Sequence, residues 1–218
     1  MELYIYLSTF ILTLIGFIYG FVRFFKKGKA LYLWMITLGV GCAMLSSLFE
    51  FLQILTQGVL PFRFNVGMLG TIGTFLFFFT ANYGQMDSLA DDGSKKFLKY
   101  RIYGLIAPLI LLIMYIPALF CNIDIGLRIA QIVILFVIML ASYFHFKHFI
   151  FPDVDYGIIK CIRGYNIMAL LYAICSVLNM VLKDYETNEL WIVTKLLGNI
   201  ILLCMLPVLE REVKKWTI

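Results

Sequence analysis

Charge is what this chain has least of. Only 14% of its 218 residues are Asp, Glu, Lys or Arg, whereas 62% are hydrophobic and the mean hydropathy is +0.94. Soluble domains carry about 25% charged residues, so a water-soluble globule is excluded and an all-α polytopic membrane protein is predicted. Histidine occurs twice and proline five times. No G-x-x-x-x-G-K-[ST], G-x-S-x-G or dinucleotide-binding fingerprint is present, which leaves nucleotide binding and serine hydrolysis without a motif. The five cysteines, Cys42, Cys121, Cys161, Cys175 and Cys204, contain no C-x-x-C pair. A disulfide framework or zinc site is therefore not expected, and these side chains read as small packing groups. No cofactor is expected.

Long apolar runs take the place of charge. A hydrocarbon core of about 30 Å asks for about 20 apolar residues per helix. Seven such runs occur, at 3–22, 30–56, 64–86, 101–121, 125–150, 158–183 and 189–209, within a single transmembrane domain spanning 1–218. Leu, Phe and Ile run continuously without alternating with polar residues, which excludes barrel strands. The opening MELYIYLSTF has no positive n-region, and no small-residue cleavage site follows, so the first helix is expected to be retained.

Basic residues set the expected orientation. Arg23, Lys26, Lys27, Lys29, Lys95, Lys96, Lys99, Arg101, Lys147, Lys160, Arg163, Arg211, Lys214 and Lys215 fall on one side, leaving Arg63, Arg128 and Lys183 on the other and Lys195 inside a helix. The positive-inside rule then places the N-terminus outside and the C-terminus inside. The net charge of +5 needs no nucleic acid, because this rule and contact with anionic lipid account for it. The clusters read as interfacial anchors, and the expected location is a plasma membrane of bacterial inner-membrane type.

Two charges lie clearly within helices, Glu50 and Lys195. Such groups are costly in lipid and normally face the bundle interior with a partner. Ser46, Ser47, Glu50, Gln53 and Gln57 share one face of the second helix by their spacing of three and four. Glu50 and Lys195 are each about 9 Å below the outer surface at 1.5 Å per residue, which predicts an ion pair if their helices are neighbours. Tyr165, Tyr172, Ser176, Asn179 and Lys183 stripe the sixth helix, and Trp191, Lys195, Gly198 and Asn199 stripe the seventh. Glu50, Gln53, Tyr172, Ser176, Asn179, Lys195 and Asn199 are the candidate ligand-binding residues, forming an outward polar pocket for a small ligand. The competing reading is interhelical hydrogen bonding alone. Gly67, Gly70, Gly73 and Thr74 on the third helix, and Thr9, Thr13, Gly16 and Gly20 on the first, read as close-packing seams. Pro108, Pro117 and Pro207 are expected to kink helices or mark their ends.

On the inner side, Asp87, Asp91, Asp92, His145, His148, Asp153 and Asp155 cluster in two loops. HFKH puts two histidines three apart, which keeps open a metal site of His145, His148 and Asp153. Solvated loop charges are the default expectation. Lys195 is similar to the Schiff-base lysine of microbial rhodopsins, but the surrounding aspartates and aromatics do not match a retinal site.

The order of a basic turn, a helix ending in SSLFEFLQ, an outer turn, a helix ending in FLFFFTANYGQMD and a proline-bearing RIYGLIAPLI resembles the seven-helix sensor region found ahead of bacterial histidine kinases and cyclase-type outputs. The likeness covers about the first 120 residues. In that family the second helix ends in an apolar stretch with a Leu-Glu and the third in a tyrosine-rich segment, positions matched here by Glu50 and Tyr83. The resemblance implies a receptor-like protein. Because the chain stops soon after its seventh helix, signalling is expected to pass to a separate membrane or cytoplasmic partner. Three other classes stay open. GFIYGFVRFF and CAMLSSLFEFL loosely resemble LASYFHFKHF and LYAICSVLNMV, as in a three-plus-one-plus-three solute transporter. An integral-membrane enzyme would use the Asp and His cluster, and a structural subunit would only hold a partner.

Overall fold

The computed structural model describes residues 2–60, 64–87, 90–121, 123–152, 158–184 and 189–216. Every regular element among these residues is helical, and no strand occurs among them. Among the described residues seven helices are long and apolar enough to cross a membrane: α1 (Glu2–Phe24), α2 (Leu31–Gln57), α3 (Val66–Thr80, with a span that runs on to Gly84), α4 (Lys95–Phe120), α5 (Ile125–Ile150), α6 (Arg163–Asp184) and α7 (Leu190–Trp216). α3 continues into a π-helical turn, Ala81–Asp87. The face of the bundle where α1 begins is the N-face, and the face where α7 ends is the C-face.

Local chemistry fixes the helix ends. Asn65 caps α3 by accepting from the Met68 N–H at 3.2 Å, and Asp124 caps α5 by accepting from Gly126 and Leu127. Gly58 closes α2 in a left-handed conformation, φ 74°, that a side chain would strain. Arg128 donates to the carbonyls of Ala118 and Cys121 and so satisfies the end of α4.

Three boundaries differ from the sequence expectation, the first being α6, which begins at Arg163 instead of 158 because a separate short helix, Ile158–Cys161, precedes it. α4 begins six residues early, at Lys95, because a short 3-10 turn, Lys95–Phe97, leads into it. α7 runs on past residue 209, because the acids that follow are satisfied within the bundle. Glu210 pairs with Lys214 at 2.7 Å and accepts from Tyr19, and Glu212 accepts from the Gly164 N–H at 2.8 Å. That last bond puts a carboxylate on the N-terminus of α6, where the helix dipole favours it. Pro108 lies where α4 is broken between Gly104 and Ile106, since it has no N–H to offer the Gly104 carbonyl. Pro207 sits inside α7 without ending it.

The packing order follows the chain except at one place. α1, α2, α3, α5, α6 and α7 form a closed ring in which each touches the next and α7 returns to α1. α4 stands outside the ring against α5 and α6. Its Ile102, Leu109, Ile113 and Phe120 are exposed, as suits a surface facing lipid tails.

Small residues permit the close contacts of the ring. Thr9, Thr13, Gly16 and Gly20 of α1 are all buried, and the Thr13 hydroxyl meets that of Ser47 at 2.8 Å. At Gly70 an added Cβ would lie 2.7 Å from Ser46 Cβ and 2.8 Å from the Cys42 carbonyl oxygen. Ser46 donates to the Gly67 carbonyl at 2.6 Å across the same seam. Since the obstacle at Gly70 is partly backbone, α2 and α3 must separate to admit a methyl group. Gly70→Ala is predicted to cost about 1–3 kcal/mol, as overpacking does. Gly84→Ala, whose new atom would meet only Thr80 Cγ2 at 3.8 Å, is the control expected to change little. Thermal unfolding of the detergent-solubilised variants checks both.

Candidate functional site

A cavity of about 590 Å³ opens towards the N-face inside the ring. Its walls come from α1, α2, α3, α5, α6 and α7, with Glu50, Tyr172, Ser176, Asn179, Lys195 and Asn199 among the lining residues. Lys195 Nζ is 2.5 Å from Glu50 Oε2, so the two membrane-depth charges are an ion pair. Their side chains are 14% and 26% exposed, and both line the cavity. Lys195 Nζ also lies 4.1 Å from the centre of the buried Tyr6 ring, a cation–π contact from α1.

Other lining groups already spend their donors. Asn179 donates to the Trp191 carbonyl at 2.8 Å and ties α6 to the start of α7. Asn199 donates to the Lys195 carbonyl, and Ser176 to that of Tyr172, within their own helices. Gln53 does not reach the cavity: its amide donates to Gln57 at 2.5 Å along the surface of α2. The shared face inferred from spacing is too wide, because the interior takes only its Ser46, Ser47 and Glu50 side. The outer Arg63 lies outside the described residues. Sequence spacing missed Tyr6, Glu2, Asp124, Gln131 and Asp184, which also line the space. Gln131 is buried and joins three helices, accepting from Tyr115 at 2.9 Å and donating to Asp184 at 2.8 Å. Its only signal in the sequence is a lone amide within an apolar run.

An aromatic layer closes the cavity below. Tyr172, in the cavity wall, stacks on Phe75 with centroids 5.2 Å apart and meets Phe78 edge-on at 6.5 Å. Phe78 in turn meets Tyr165 at 6.0 Å and His145 at 6.3 Å. All three helices of this layer, α3, α5 and α6, continue into a second polar site.

That second site corrects the expectation of solvated loop charges. His145, His148 and Lys147 are within α5 and no more than 3% exposed. Asn82 is the hub: its amide nitrogen is 2.7 Å from His145 Nδ1 and donates to Asn166 at 3.2 Å, and its oxygen is 2.7 Å from His148 Nδ1. His148 Nε2 faces Asp87 at 3.0 Å. With Asn82 so oriented, both ring nitrogens of His148 face oxygen atoms, one from Asn82 and one from Asp87. Lys147 bridges Asp87 and Asp91, at 2.6 Å to each, and Arg101 clasps Asp91 from α4. Lys147 and Arg101 are therefore ion-pair partners, where the sequence suggested interfacial anchors.

The π turn makes this convergence possible. Asn82 and Asp87 are five residues apart, which in an α-helix would point them about 140° from each other. In a turn bonded i to i+5 they return to nearly the same side. The metal reading finds no support in this part of the site: both histidines turn Nδ1 to Asn82, and no cluster of three metal-ligating side chains exists among the described residues. Asp153 and Asp155 lie outside the described residues. None of the five cysteines forms a disulfide.

Outside the spans, three carboxyls are lowered: Asp92, which stays exposed as expected and accepts from the Ser94 N–H, and the two acids of the buried site. Hydrogen bonds from Arg101 hold Asp91 well below the usual carboxylate range, with burial opposing and Lys147 and the Gly93 N–H adding to the effect. At Asp87 burial pushes upward but is outweighed by His148 and Lys147, leaving it lowered. A depressed folded-state value stabilises fully above the unfolded value of 3.8 and is lost as pH falls below it. Melting temperature in detergent should thus hold steady from neutral pH to about 5 and drop below about 4. Lys147→Met, which leaves Asp87 and Asp91 without their shared cation, should cost about 3–5 kcal/mol at neutral pH and flatten that acid loss. Melting curves across pH for both proteins check the pair of outcomes.

No protein-family model matches this chain, and no curated protein or solved structure does so either.

Proposed function

We propose that this protein is a membrane sensor for a small polar solute, which enters the cavity from the N-face and changes the ion-pair cluster at the C-face. The observation that carries the reading is the double role of Tyr172. It lines the cavity and stacks on Phe75, within an aromatic layer that also touches His145. A ligand pressing on the cavity floor would move this ring, and closely packed layers pass such a shift as a change between discrete arrangements. In this reading the N-face is outward, in keeping with the concentration of Lys and Arg towards the C-face. The resemblance of the first 120 residues to kinase-linked sensor regions supports a plasma-membrane receptor of bacterial type. The π turn and the Asp91–Arg101 contact would then be read by a separate partner protein.

A transporter is the second reading, favoured by the place of α4. With α4 outside, two groups of three helices close the ring, as a three-plus-one-plus-three carrier would require.

One reconstituted preparation separates the two. Screened against a library of small water-soluble metabolites, the protein should be thermally stabilised by at least one compound. That compound should also alter deuterium uptake across Ala81–Asp87. Phe75→Leu, which removes the ring stacked on Tyr172 and leaves the cavity wall intact, should keep the stabilisation and lose the change at the π turn. Binding without any response at Ala81–Asp87 would sink the sensor reading, and accumulation of the compound inside sealed vesicles would replace it with transport.

A further inference from the structure

The cavity contains its own model of a bound ammonium. Lys195 Nζ occupies a position framed by the Glu50 carboxylate at 2.5 Å and the face of Tyr6 at 4.1 Å, with Trp191 6.4 Å from Tyr6, centroid to centroid. A carboxylate beside an aromatic face is a recognition site for an organic cation. Here the cation is the protein's own, on a side chain that reaches the cavity.

We propose that the cavity binds a small zwitterion of the α-amino acid or betaine class, which divides the Glu50–Lys195 pair. This inference rests on the solute-binding reading above. The ligand's ammonium would replace Lys195 between Glu50 and Tyr6, and Lys195 would swing to the ligand's carboxylate.

Charge balance selects this class. A buried ion pair separated by a lone cation leaves Lys195 without a counter-charge, and one separated by a lone anion leaves Glu50 so. Either orphan carries the full cost of an unpaired charge away from bulk water. A zwitterion brings one charge for each partner, so the number of ion pairs rises from one to two and the net charge at that depth stays zero. A volume of about 590 Å³ is within the range of small-molecule sites and exceeds what one amino acid fills, leaving room for water around it. The rim carries Glu2, Asp124 and Asp184 against Lys183, an excess of acid that disfavours a purely anionic solute at the entrance.

Purified, reconstituted full-length protein would be titrated with the twenty α-amino acids and glycine betaine, following intrinsic tryptophan fluorescence and, in parallel, calorimetry. For any amino acid that binds, its decarboxylated amine and its deaminated carboxylate would be titrated beside it. At least one zwitterion should bind about 100-fold more tightly than either of its singly charged halves, the factor expected when each half orphans a charge. Tyr6→Leu should weaken the zwitterion about 3–30-fold through loss of the cation–π face, whereas Tyr6→Phe should retain it. Glu50→Gln combined with Lys195→Gln, which removes both charges together and so avoids an orphan, should abolish binding while the protein keeps its melting transition. Equal affinity for a half-molecule, undiminished binding by the double variant, or no binding by any of the twenty-one compounds to folded protein would each overturn the proposal. The sensor reading fails separately: a hit of another chemical class that still alters Ala81–Asp87 would keep it and discard the zwitterion.

Discussion

A polar group in hydrocarbon has no water to turn to, and this constraint organises the whole bundle. Both polar sites obey it, but in different ways. At the C-face the obligation is met mainly by closure: Asn82, His145, His148, Asn166, Asp87 and Lys147 bond to one another in a single connected set, which leaves only His145 Nε2 and the Asn166 amide nitrogen without an acceptor or donor of their own. At the N-face it is met by one ion pair plus a cavity wide enough to admit solvent. The first arrangement suits rigidity, since each member fixes the next. The second leaves a charged pair lining an open space.

The aromatic layer between the sites has the opposite character. Phe75, Phe78 and Tyr165 are almost wholly buried, so packed rings separate the two polar regions. Tyr172 belongs to both environments, with its ring in the stack and its edge at the cavity. Small residues on α1, α2 and α3 are what allow the ring of helices to close tightly around this layer, as at Gly39 of α2, where a Cβ would strike the Phe78 ring. The same closeness that seals the centre makes it sensitive to a displaced side chain.

Much of this was legible in the sequence, and the reasons for the remainder are physical. The helices follow from bilayer thickness and apolar length, and the Glu50–Lys195 pair follows from two charges at equal depth. Gln53 was misplaced because a spacing of three and four defines a broad stripe, and only tertiary packing shows which edge of it turns inward. The histidine network was misread because Lys147, His148 and Asp87 all lie near a helix end, where solvated charge is the ordinary outcome. Burial there depends on a change of helical period that no residue of ANYGQMD announces. The outer position of α4 is equally invisible: its apolar run would suit a place in the ring as well as one beside it.

The π turn has a consequence for how α3 measures length. A helix with a wider turn fits one extra residue into the same rise, so α3 carries slack that its neighbours do not. Residues before Ala81 keep the α-helical phase, and those from Ala81 to Asp87 follow a wider one, much as a vernier scale offsets two rulings. Because Asn82 and Asp87 both stand on the wider winding, the buried site is held by a mismatch in winding as much as by any single bond.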